Sequence, residues 1–249
     1  MQQYVVHEVA PDVVARIDRT MPALPSVVDR EVERLWQAAS ERVAAGGAGQ
    51  LFNGQVFSAV SITPHLITGH LTEFRRIVAQ MERPALELEV RSLAVCGTLR
   101  CADGVVVGRR HHAAIYQAGM WQLPPAGSID ASAVGADGVV DLRRQLLSEL
   151  QEELGLAADT VSEPEPLCIV EHPGSRVSDF GFGLITDLSG EAVLAAYRAN
   201  GNPEYEEMRV VPEAKIAAFL AQAGGGLVWP AREFLMRAGL TIRVPDSSR

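Results

Sequence analysis

Three glutamates stand within five residues of one another in the stretch SELQEELGL, Ser148 to Leu156: Glu149, Glu152 and Glu153. Ionised carboxylates accept hydrogen bonds, donate none and repel each other at close range, so such a group is costly unless water or a multivalent cation lies among its members. Ligands offering only oxygen suit Mg²⁺, with Mn²⁺ as the alternative. Taken alone, the glutamates are also accounted for by a solvated acidic helix face. Their setting argues for more. Leu146, Leu147, Leu150 and Leu154 form an apolar stripe at helical spacing, and Gly155 follows as a stop. At about 100° per residue the three acids occupy roughly a third of the helix circumference, beside that stripe, which brings them to the body of the protein.

The elements that must position this helix are legible on either side of it. Upstream, SLAVCGTLRC and GVVVGRR read as buried strands joined by a hairpin turn at Asp103-Gly104, and the alternating LELEV reads as a strand before them. A loop, HHAAIYQAGMWQLPPAGSID, leads from the second strand towards the acidic helix. Downstream, strand-like stretches (PLCIVEH, DFGFGLITDL, EEMRVVP) alternate with helical ones (EAVLAAYRA, PEAKIAAFLAQA, PAREFLMRAG). This order predicts a sheet covered by helices on both faces. The first third of the chain has a separate character: an extended start, a helix over Ser26 to Ala45 ended by Gly46 to Gly49, two extended pieces (LFNGQVFSAV, with a turn signal at Asn53-Gly54, and SITPHLITG) and a short amphipathic helix in LTEFRRIVAQM.

Composition sets bounds on partners. Hydrophobic residues make up 47% and charged residues 21% of the 249-residue chain, enough apolar matter for a proper core. A net charge of -9 argues against a surface built to neutralise a nucleic-acid polymer, though a metal and local arginines can reverse the potential inside one pocket. Three cysteines, Cys96, Cys101 and Cys168, match no zinc spacing and fit buried thiols in a reducing compartment. The opening MQQYVVHEVAPDVV lacks the pattern of a signal peptide, and no apolar run is long enough to span a bilayer, so the expectation is a cytoplasmic protein without a membrane partner.

The succession of Gly-Arg-Arg on a strand, Trp-Gln-Leu-Pro-Pro-Ala-Gly in a loop, and Glu-Leu-Gln-Glu-Glu-Leu-Gly-Leu on a helix resembles the Nudix hydrolase superfamily. Glu149, Leu150, Glu152, Glu153, Gly155 and Leu156 match the second half of its signature, and Gly127 stands as the opening glycine. The resemblance covers Leu86 to about Leu240. It implies an α/β (α+β) architecture, a Nudix-type α/β/α sandwich with a mixed sheet over residues 86–245, with a smaller α+β extension over residues 1–85. It implies Mg²⁺-dependent hydrolysis of a diphosphate linkage, with the metal on Glu149, Glu152 and Glu153. Arg109 and Arg110, ending the strand that enters the site, are the candidate phosphate contacts. A further acid from a later loop is expected from Glu171, Glu204, Glu206 or Glu207, of which NPEYEE is the more acidic cluster; Glu206, with Gly127, is also a candidate for substrate binding. His111 and His112 are read as structural.

The sequence also departs from the signature. Ser148 stands where the family has an arginine that holds a catalytic glutamate, and Val140 stands at the upstream acid. ASAVGADGVV reads as an inserted loop. Arg144, one turn before Ser148, and Asp141, two turns before Glu149, are the candidate replacements; ordinary first-turn helix charges account for them equally. In the first third, Leu51 to Gly54 and Leu71 to Arg75 are similar to an extension found in a Nudix subgroup that includes UDP-sugar diphosphatases. That likeness implies nucleotide binding by the extension and a small-molecule nucleotide substrate, a nucleoside diphosphate sugar first. ADP-ribose, a dinucleotide, coenzyme A and a specialised metabolite are the alternative substrates, and a catalytically weak nucleotide sensor that regulates a partner is the alternative function. The oligomeric state stays open, a homodimer included.

Overall fold

The computed structural model describes residues 4–47 and 49–240. In chain order the strands and helices are β1 (Val5–His7), β2 (Val14–Ile17), α1 (Ser26–Ala45), β3 (Gln55–Ile62), β4 (Leu66–Glu73), α2 (Phe74–Glu82), β5 (Leu93–Cys101), β6 (Gly104–Arg110), β7 (Trp121–Gln122), β8 (Ala126–Ser128), β9 (Val139–Val140), α3 (Leu142–Leu154), β10 (Glu165–Glu171), β11 (Ser178–Ile185), α4 (Gly190–Asn200), β12 (Tyr205–Val211), α5 (Ile216–Ala223) and α6 (Trp229–Arg237). A mixed sheet runs β1-β10-β11-β5-β6-β12, with β8 on β5 and β7 on β6; a smaller sheet runs β3-β4-β2-β9.

Strand alternation gives the main sheet two apolar faces. On one, Val95, Leu99, Val106, Phe180 and Phe182 pack with Leu146, Leu150 and Leu154 of α3. On the other, Val105, Val107 and Cys168 pack with Leu220 of α5 and Phe234 and Leu235 of α6. The chain is thus an α/β layered structure, helices covering both faces of a mixed sheet. All three cysteines are free and buried, and among the described residues no helix is long and apolar enough to cross a membrane.

Strands from the two sides of the expected residue 85/86 boundary share sheets. β1 joins the main sheet beside β10. In return β9, from the inserted loop, joins the small sheet with Ala15 opposite Val140 and Arg16 opposite Val139. Val140, at the position of the family's upstream acid, is buried in that pairing. Phe57, Ala59 and Ile67 of the small sheet enter the same core as α3.

Three local expectations are corrected. LELEV is not a strand: after a 3-10 turn over Pro84–Leu86, Glu87 and Glu89 adopt left-handed φ of 48° and 56°, and Leu88 turns into the core with its N–H on Gln80 Oε1 at 2.8 Å. The helix expected in LTEFRRIVAQM starts at Phe74, because Leu71 to Glu73 continue β4 opposite Gln55 to Phe57. Leu51 to Gly54 are not a strand but a coil that finishes this helix. Asn53 Oδ1 accepts the Arg75 N–H at 2.9 Å and the Gly54 carbonyl accepts the Phe74 N–H at 2.9 Å. Two of the first-turn donors a helix leaves unpaired are satisfied in this way.

Candidate active site

Helix α3 begins at Asp141, whose side chain accepts the Arg144 N–H at 2.9 Å, and ends at Gly155, whose left-handed φ of 66° closes the last turn. With Leu146, Leu150 and Leu154 fully buried, the helix rotation is fixed and the three acids are graded from dry to wet. Glu153 is completely buried, Glu149 half-buried and Glu152 exposed.

Each acid has its own support. Glu153 Oε2 accepts the Ala126 N–H at 2.9 Å and the Tyr205 hydroxyl at 3.1 Å. Its Oε1 is buried and has no hydrogen-bond partner among the described residues. Burial pushes this carboxyl well above the usual range, and the charges of Glu204 and Glu149 push the same way. Glu149 Oε1 accepts from Gln145 Nε2 at 2.8 Å. Burial raises its pKa to about 7 against the Gln145 hydrogen bond, with Glu152, Glu204 and Asp130 adding repulsion. Ser148 Oγ donates to Glu152 Oε1 at 2.9 Å, so the residue at the signature arginine's position engages one of the three acids.

Glycines make room for this packing. A Cβ on Gly127 would stand 2.0 Å from Glu149 Oε1, and one on Gly108 would stand 2.5 Å from the ring of Tyr205. Both approaches are shorter than any side chain tolerates, so Glu149 and the tyrosine that supports Glu153 lie directly on backbone.

The sheet itself opens the cleft. β5 and β6 pair only at their hairpin end, Arg100 to Val105 and Cys101 to Gly104. Beyond it β8 takes the place beside β5 and β7 the place beside β6. The cleft there, of ≈ 300 Å³, is lined by Glu149, Gly127, Arg110, Glu204 and Asp179, and by Phe74 and Met81 from α2. Arg110 is anchored across from the acids: its Nε donates to the Tyr116 carbonyl at 3.1 Å and its guanidinium to Gln122 Oε1 at 2.5 Å, and it stands 3.6 Å from Glu204.

Of the sequence candidates, Glu149, Gly127 and Arg110 line one cleft, with Glu153 bonded to the backbone of its wall at Ala126. Arg109 and Glu206 do not line it. Alternation along β6 turns Arg109 away from Arg110, to 3.8 Å from Glu206 and 3.7 Å from Glu207. Glu206 is exposed and held by the His112 N–H at 2.9 Å and by the His112 ring. Its carboxyl is lowered by those bonds. With His111 it forms a group whose potential ligand atoms lie within 4.8 Å, but His111 Nδ1 already accepts the Ala113 N–H at 3.1 Å. Glu171 is occupied elsewhere, with His7, Arg91 and Arg176. Arg144 is exposed, its side chain forms no ion pair among the described residues, and the side chain bonded to Glu149 is Gln145. Asp141 serves as the helix cap.

Glu204 and Glu206 are both among the four later acids that the sequence offers. Both flank the buried Tyr205 at the start of β12, so strand alternation does not separate them; the cleft does, lined by Glu204 and not by Glu206. Asp179 was missed. An acid at the head of the apolar strand DFGFGLI was the available hint.

No family model and no curated protein matches the sequence. Solved structures do show similarity. A Nudix-family hydrolase from Clostridium perfringens aligns at 14% identity over 60% of this chain and 95% of its own, with a TM-score of 0.40. A Deinococcus radiodurans protein aligns at 18% identity over 59% of this chain and 83% of its own, with a TM-score of 0.41. A bifunctional NMN adenylyltransferase/ADP ribose pyrophosphatase from Francisella tularensis aligns at 10% identity over 65% of this chain and 44% of its own, with a TM-score of 0.42.

Proposed function

We propose that the cleft hydrolyses a diphosphate linkage in the manner of a Nudix enzyme, with a divalent cation, Mg²⁺ by the oxygen-only donor set, held by Glu149, Glu152 and Glu153. The observation that carries this reading is the buried, unpartnered Oε1 of Glu153 beside a second desolvated carboxylate, Glu149. Orphaned acceptors crowded by like charges are costly to bury, and a hard cation removes the cost. When bound, such an ion lowers the pKa of a coordinated water and neutralises phosphate oxygens.

The chain's own residues do the rest. Gln145 fixes Glu149; Ala126 N–H and the Tyr205 hydroxyl fix Glu153. Arg110, pre-oriented by Gln122 and the Tyr116 carbonyl, faces the cleft as a contact for diphosphate oxygens. Glu204, in the same cleft and free of the His112 clasp that holds Glu206, is the later acid best placed to accept a proton. Phe74 and Met81 bring the 1–85 unit into the cleft wall, which supports a role for that unit in binding the substrate, a nucleoside diphosphate joined to another moiety such as a sugar.

Incubation with Mg²⁺ and a panel of nucleotide sugars, dinucleotides and ADP-ribose, followed by phosphatase and phosphate detection, tests the proposal. Turnover abolished by Glu153→Gln with the fold retained supports it; full activity in both Glu152→Gln and Glu153→Gln removes these residues from the mechanism. One observation favours a second reading, a nucleotide sensor: a serine, bonded to Glu152, replaces the signature arginine. Tight binding of one panel member without turnover identifies that case.

A further inference from the structure

Asp179 heads β11, where Phe180, Phe182 and Leu184 turn into the core beside α3 and Gly181 faces α6, so close that a Cβ there would stand 2.3 Å from the Phe234 ring. By alternation Asp179 points to the α6 side, yet it lines the same cleft as Glu149, because the sheet is open between β5 and β6 at this level. Its one hydrogen-bond donor among the described residues is a weak one, the Cys96 thiol at 3.6 Å. No ion pair holds it there. Burial raises its carboxyl to about 6, moderated by the Cys96 bond and the charge of Arg110, so near neutral pH it is an ionised acceptor with unused lone pairs.

Its neighbours complete a reading surface. Gln122 gives its Oε1 to Arg110, which leaves its amide N–H donors out of that bond, in the cleft that Asp179 also lines. Tyr116, its hydroxyl tied to Ser175 at 3.0 Å, and Phe74, Ile115 and Met81 offer flat or apolar faces in the same cleft. A carboxylate, aromatic and apolar walls, and a cationic Arg110 lining one cleft with Glu149 match a planar ring that carries N–H donors on its edge and a diphosphate on its tail.

We infer that Asp179 is a specificity-determining residue that reads the base of the nucleotide and selects bases with a ring N–H, guanine and uracil, over adenine and cytosine. The inference rests on the diphosphate-hydrolase reading for its substrate but not for its recognition chemistry. An acceptor-only carboxylate pairs with the ring N–H of guanine or uracil; adenine and cytosine present a ring acceptor at that position and leave Asp179 facing a lone pair.

Two measurements test this. The first titrates guanosine, uridine, adenosine, cytidine and glucose into the metal-free protein by calorimetry, for wild type and Asp179→Asn. The second compares kcat and KM for the GDP-, UDP-, ADP- and CDP-sugars in Mg²⁺, with thermal melts as a check of folding and Asp179→Ser as a second variant. Expected are binding of guanosine or uridine ahead of adenosine and cytidine, and in both variants a loss of roughly 10- to 100-fold in kcat/KM for the preferred base, the scale of one or two charge-assisted hydrogen bonds. That loss is carried by KM, while kcat and the adenine substrate change by less than about threefold, since the contact is the same in ground and transition states. Equal losses for all four bases, a loss confined to kcat, or binding of glucose in preference to any nucleoside overturns the inference. Absence of turnover on every substrate defeats the hydrolase proposal and leaves the calorimetric ranking to decide this one.

Discussion

Replacing Glu149 by glutamine keeps the side chain's shape and its acceptor for Gln145 while deleting the charge that the fold desolvates. In the folded chain the Glu149 carboxyl sits at about 7 against an ordinary 4.5. The raised value means that folding favours the neutral acid: the stability it contributes is full below the unfolded pKa and is lost as pH rises through the folded one. Between pH 5 and pH 8 the linkage amounts to about 2.5 kcal/mol for this group alone. Glu149 is half-buried, and screening at the cleft mouth reduces the expected effect to about 1–2 kcal/mol. In metal-free buffer Glu149→Gln is therefore expected to raise the melting temperature at pH 8 by roughly 2–8 °C, with little or no gain at pH 5. Mg²⁺ reverses the order, because wild type gains the free energy of binding the ion and the variant has lost a ligand. Differential scanning calorimetry at the two pH values, each with and without 10 mM Mg²⁺, measures all four corners. A variant less stable than wild type in metal-free buffer at pH 8, or one stabilised by Mg²⁺ as much as wild type, refutes the electrostatic account.

Further predictions follow from single contacts. Gly127→Ala puts a methyl 2.0 Å from Glu149 Oε1; turnover is expected to fall at least about 100-fold, the scale of a small misplacement at a reacting centre, with kinetics and a circular-dichroism spectrum as the check. Tyr205→Phe removes the hydroxyl on Glu153 Oε2, leaving that buried oxygen with the Ala126 N–H alone, and is expected to cost about 1–2 kcal/mol in urea unfolding. Asn53→Ala removes the acceptor for the Arg75 N–H and is expected to cost about 1 kcal/mol in the same assay.

The acidic helix was legible because its signals are local and repeated. Leu146, Leu150 and Leu154 recur at helical spacing, and Gly155 ends the pattern in the left-handed conformation that only glycine adopts freely. Helix α1 was legible to the residue for the same reason. Short alternating runs misled. LELEV has the period of a strand, but its partners for hydrogen bonding lie elsewhere, and Leu88 and Val90 are buried from a coil with left-handed φ at Glu87 and Glu89. Glu204 and Asp179 belong to a third class. Their own sequence neighbourhood does not tie them to Glu149: the open seam between β5 and β6 gathers Asp179 of β11, Glu204 just before β12 and Glu149 of α3 from distant parts of the chain.

That seam also gives a physical reason for the inserted loop. A diphosphate cleft needs its acids on a rigid element, and α3 is held from two directions: its leucines lock it to the main sheet, while β9, directly before it, is stitched into the small sheet through Ala15 and Arg16. The small sheet in turn runs through β4 into α2, whose Phe74 and Met81 line the cleft. The wall formed by Phe74 and Met81 and the helix that carries the acids therefore share one framework. Val140, where the signature it resembles has an acid, is buried and apolar, and a carboxylate there would be desolvated inside the β2–β9 pairing. The first third of the chain is thus joined to the acidic helix through shared strands and a shared core.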